Sequence, residues 1–152
     1  MEIQFKDVPA DWAVCFNNDC PLKEECMRYQ VGLVMPDDVW VWRTVMAAAW
    51  KKGDCKAFAK KRTERMAYGL SHFFDHVEKQ DYSRLRDQAM AYLGGHSNYY
   101  RYNRGEKLLS EAQQQYLQQM MAKAGYEGKG EFGSYVDVLQ YDWTVSKTST
   151  PF

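Results

Sequence analysis

Cys15, Cys20, Cys26 and Cys55 are the residues of this 152-residue chain whose type and spacing best support chemistry. The first three fall as C-x4-C-x5-C, and the fourth follows a separate segment. Four thiolates can satisfy one tetrahedral metal ion or one iron–sulfur cluster. Structural zinc takes sulfur at about 2.3 Å, usually from C-x2-4-C pairs on turns. Here the first spacing reaches that limit and the second passes it. An iron–sulfur cluster accepts wider, irregular spacing, and Pro21 directly after Cys20 matches the Cys-Pro pair of ferredoxin-type runs. The competing reading is a metal-free protein- or nucleic-acid-interaction domain whose four thiols are buried small hydrophobes. Zinc on all four cysteines is the expectation, with iron–sulfur as the alternative, because structural zinc is the simpler use of four thiolates. Such a site has no open coordination position, so its task would be structural.

Two further groupings carry possible chemistry. His72 and His76 stand four apart beside Asp75. On a helix that spacing brings two imidazoles to one metal. No Glu follows His72, so the hydrolytic zinc motif is absent. The plain alternative is two solvated side chains flanking an apolar stripe. The other grouping is GGHSNYYRYNRGEK, residues 94–107, where Tyr99, Tyr100 and Tyr102 interleave with Arg101, Arg104 and Lys107. Aromatic faces alternating with cations suit stacking on single-stranded bases. This segment is therefore the expected recognition surface, for nucleic acid or another protein, through residues 96–107. Against it stands a long loop anchored by tyrosine hydroxyls. No G-x-x-x-x-G-K-[ST], G-x-G-x-x-G or G-x-S-x-G occurs, so nothing points to a particular enzyme.

The elements that must position these residues are unevenly legible. Residues 1–14 read as an extended lead-in containing Ile3, Phe5, Val8 and Trp12. Leu22 to Gln30 suits a short helix with Pro21 at its start. Residues 39–50 mix strand and helix signals, extended to about Met46, and Gly53 then turns the chain to present Cys55. From Lys56, the residues Phe58, Arg62, Met66, Leu70, Phe73 and Val77 recur at helical spacing and predict the longest helix. Its basic start would oppose the macrodipole, which a negative tetrathiolate centre beside Cys55 would offset. Ser83–Leu93 reads as a helix stopped by Gly94-Gly95. Ser110–Ala124 is the clearest, with a Ser110/Gln113 capping box and Gly125 as its stop. After Gly130 a weak alternation suggests a strand or an irregular cover.

Composition fits one globular domain over 1–152, with a cysteine-containing subregion at 1–55 and a mainly helical one at 56–152. The expected class is α+β, about three main helices with a small extended layer near the cysteines. Twenty basic and twenty acidic residues cancel, so no global field attracts a polyanion. The charges are segregated: residues 1–38 carry eight acids and three bases, and residues 51–65 seven bases and two acids. MEIQFKDVPADW lacks the form of a signal peptide and no run of 18 apolar residues exists, so the expectation is a cytoplasmic protein with no membrane contact. A reducing compartment disfavours disulfides.

CFNNDCPLKEECMRY, then GDCKAF, then GGHSNYYRYNRGEKLLS-x-x-QQ together resemble an uncharacterised family of small bacterial proteins. The resemblance runs from about Cys15 to Tyr126. It implies that the cysteine cluster and the tyrosine–arginine segment belong to one unit, and it supplies no catalytic residue.

Overall fold

Strand Thr63–Tyr68 (β1) and strand Ser134–Leu139 (β2) pair in the computed structural model, which describes residues 2–141. Gly133 N–H donates to Gly69 O and Gln140 N–H to Arg62 O. The residue numbers of each pair share one sum, which makes the ladder antiparallel. Helices are Met27–Leu33 (α1), Lys79–Tyr92 (α2), His96–Asn103 (α3) and Glu111–Lys123 (α4). The class is α+β, as expected. The chain divides into two compact units, Met1–Thr63 with Leu139–Phe152, and Glu64–Val138.

In the first unit Trp12, Val14, Met27 and Val31 lose all contact with solvent, with Ile3, Val8, Ala59 and Leu139 packed around them. Val14 forms a parallel bridge to Thr44, and Trp42 Nε1 donates to Trp12 O at 2.9 Å. The extended lead-in therefore becomes core, with one short 3-10 turn at Phe5–Asp7. The helix expected over Leu22–Gln30 forms later. Residues 21–25 make successive turns, and α1 begins at Met27 after Cys26 as its N-cap. Met27 and Val31, one turn apart, both bury completely; the charged run before them has no apolar face to bury.

The second unit packs Leu85 and Ala89 of α2, Tyr99 of α3 and Leu117, Met120 and Met121 of α4 around Ala67, Phe73 and Phe132. α4 carries the expected capping box: Gln113 N–H donates to Ser110 Oγ and Ser110 N–H to Gln113 Oε1. The expected long helix from Lys56 to Val77 does not exist. Its centre is β1, which pairs with β2 and also exchanges two backbone hydrogen bonds between Ala67 and Leu109. Gly69 ends the strand at φ +86°, where an added Cβ would come within 3.0 Å of the Gly133 backbone. Neither the left-handed backbone nor that close approach suits a continuing helix. The apolar residues after it, Leu70, Phe73 and Phe74, bury from turns.

Candidate metal centre

All four cysteines line one small cavity, about 10 Å³ of room for the centre of a water-sized sphere. That is space for one small occupant. Each thiol arrives from a separate local structure. Cys15 lies on the extended segment after Val14, its N–H donating to Arg28 O at 2.9 Å. Cys20 sits in a turn, donating to Asn17 O and accepting from Lys23 N–H. Cys26 caps α1 and bridges Lys60. Cys55 follows the turn at Gly53 and accepts from Phe58 N–H. Cys15 and Cys26 are buried, and Cys20 and Cys55 are half-buried.

None of the four forms a disulfide. Burial pushes the Cys15 thiol up, and the charges of Cys26, Cys55 and Cys20 push the same way against a lowering backbone hydrogen bond from Asn17. Among the described residues, no three His, Cys, Asp or Glu side chains already form a set that could hold a metal ion. The macrodipole argument for a negative centre falls with the missing helix, since Lys56, Lys60, Lys61 and Arg62 precede a strand.

A different cation takes its place. Arg28, two residues past Cys26, is 1 % exposed and lines the same cavity. Its Nη1 donates to Ala13 O at 2.7 Å and its Nε to Ala57 O at 3.0 Å, while the guanidinium lies 4.5 Å from the Trp12 ring centre. Ala13 stands two residues before Cys15 and Ala57 two residues after Cys55. One side chain thus ties together the segments bearing three of the four thiols. Sequence reasoning missed it, because a lone Arg near a cysteine carries no motif.

The tyrosine–arginine segment is a helix, not the long loop expected over 94–107. Gly95 ends the stop after α2 and serves as the N-cap of α3. Tyr99 is buried in the core, and burial pushes its hydroxyl up to about 12. The Tyr100 hydroxyl accepts from Arg86 at 2.6 Å and that of Tyr102 from Gln113 at 3.3 Å. Arg101 and Arg104 both pair with Glu106, and Lys107 donates to Asn98. His72 and His76 do not share a helical face: both lie exposed in turns, with His72 Nδ1 2.8 Å from Asp75 Oδ2.

No helix of the described residues is long and apolar enough to cross a membrane. No curated protein and no solved structure matches the chain. Residues 1–143 match the model of a family of unknown function, DUF6078, and the chain belongs to that family.

Proposed function

We propose that Cys15, Cys20, Cys26 and Cys55 hold one structural zinc ion as thiolates. The observation that carries this reading is the single cavity that all four border, sized for one small occupant. The buried guanidinium of Arg28 on the wall of that cavity supports it as well. A tetrathiolate zinc centre has net charge −2, and placing it beside a desolvated cation lowers the cost of burying both. Four cysteines supply every coordination position, so the ion would hold the fold without activating water. It would draw the four thiols inward from their present spread, linking separate turns of the first unit. Structural zinc in small domains contributes on the order of 10 kcal/mol of folding free energy.

Metal analysis of the full chain, purified without oxygen, tests this. One zinc per chain with no visible band is expected, lost in Cys15→Ser and Cys26→Ser. A brown protein absorbing near roughly 400 nm would assign the iron–sulfur alternative instead. Metal-free protein that gains no stability from added zinc would sink both.

A recognition role for residues 96–107 is not part of this proposal. The cations of that segment are paired within it and Tyr99 is in the core, so it offers no row of free rings to stack on bases. Single-stranded oligonucleotides are expected to show no salt-dependent binding to the wild type.

A further inference from the structure

Cys20 and Cys55 border two spaces at once. On one side is the small cavity they share with Cys15 and Cys26. On the other is a cleft of about 330 Å³, also lined by Asp19, Leu22 and Trp50, which neither Cys15 nor Cys26 reaches. The four thiols thus divide into a buried pair and an accessible pair. Cys15 and Cys26 are 9 % and 7 % exposed; Arg28 ties the segments of Cys15 and Cys55 to α1 and so does not separate the two pairs. Cys20 sits on a turn and Cys55 just past another, both facing a cleft large enough for a small molecule.

We propose that Cys20 and Cys55 form a peroxide-sensitive pair at the open face of this centre. The Cys20 sulfur, as thiolate, attacks one oxygen of the peroxide; the O–O bond breaks, leaving a sulfenic acid and hydroxide, which takes a proton to become water. The Cys55 thiolate then attacks the sulfenic sulfur, the S–O bond breaks, and the hydroxyl leaves as a second water once protonated. The two sulfurs together lose two electrons, and one hydrogen peroxide is reduced to two waters. The disulfide removes two of the four ligands and releases the ion into the cleft. Its metal-release arm rests on the zinc reading, whereas the selective oxidation of the pair does not.

The test treats full-length wild type, zinc-loaded and, separately, chelated and reduced, with one equivalent of hydrogen peroxide. Peptide mapping without reductant locates the bonds, and a coloured chelator reads released zinc. A Cys20–Cys55 disulfide is expected in both samples, and in the zinc-loaded one a zinc ion is released per bond formed. Cys20 and Cys55 should oxidise roughly tenfold faster than Cys15 and Cys26, following their exposure. In Cys55→Ser, dimedone should trap the sulfenic acid at Cys20. Disulfides that engage Cys15 or Cys26 as fast, or none in the reduced metal-free chain, would overturn the proposal. A chain that binds no zinc yet forms this disulfide keeps the pair and sinks the metal reading. One that binds zinc but forms no such bond sinks the pair alone.

Discussion

Arg28 shows how one side chain can organise a site that no motif announces. Its two carbonyl acceptors lie on the segments of Cys15 and Cys55. Arg28→Met would leave both without this donor inside the core, an expected loss of about 2–5 kcal/mol by chemical denaturation. Arg28→Lys keeps the charge but cannot reach along two directions as a planar fork does. It should restore part of the stability and less of the zinc affinity. A second residue-scale device lies in the other unit. Asp81, in the first turn of α2, accepts from Arg84 at 2.9 Å and from the Tyr126 hydroxyl at 2.8 Å. The Arg84 hydrogen bond, then that of Tyr126, holds its carboxyl below the usual range. A carboxyl lowered on folding contributes stability above its unfolded value, near about 3.9, and loses it as pH falls through the lower folded value. Melting temperature against pH should show this acid limb, and Asp81→Asn should flatten it.

At the scale of elements, Gly32 on α1 decides how closely that helix lies to the Cys15 segment. An alanine there would gain about 1 kcal/mol of helix propensity. Its Cβ would, however, stand 2.7 Å from the Cys15 carbonyl oxygen and 3.2 Å from the Phe16 ring. The oxygen is backbone and cannot swing away, so the clash wins. Gly32→Ala is expected to destabilise the protein and weaken zinc binding together, as read by denaturation and metal titration. A variant as stable as wild type would show that α1 can retreat from this contact. The capping box of α4 gives a contrasting prediction. Ser110→Ala should cost about 1 kcal/mol and leave zinc content unchanged.

For the whole molecule, the division into two compact units sets the reach of the proposed ion. All four cysteines and Arg28 belong to the first unit, and the aromatic core around Phe73 and Phe132 belongs to the second. Removing zinc with a chelator should raise hydrogen exchange across residues 2–63 and leave the protected amides of α2 and α4 largely as they were. Uniform loss of protection over both units would tie them into one cooperative transition instead.

Local signals explain which parts were legible. The α4 cap and stop involve residues three apart, and the end of α2 is written in Gly94-Gly95, so both could be read directly. The stripe from Phe58 to Val77 misled because a six-residue strand flanked by apolar turns can mimic a period of 3.6. What rejected the helix was Gly133 and Leu109, far along the chain, pairing with Gly69 and Ala67. The α3 helix was hidden for a related reason: its buried face is a tyrosine among charged and polar neighbours, which composition assigns to a loop. The sequence by itself determined that four thiols exist, that three are close in the chain, and that charge and hydrophobicity suit an α+β protein. Only the tertiary structure decided that Cys55 lines the same cavity as the other three, that two thiols are buried and two half-buried, and that Arg28 ties the Cys15 and Cys55 segments to α1. Those facts depend on backbone carbonyls and cavity walls contributed by distant segments, and no local pattern of side chains encodes them.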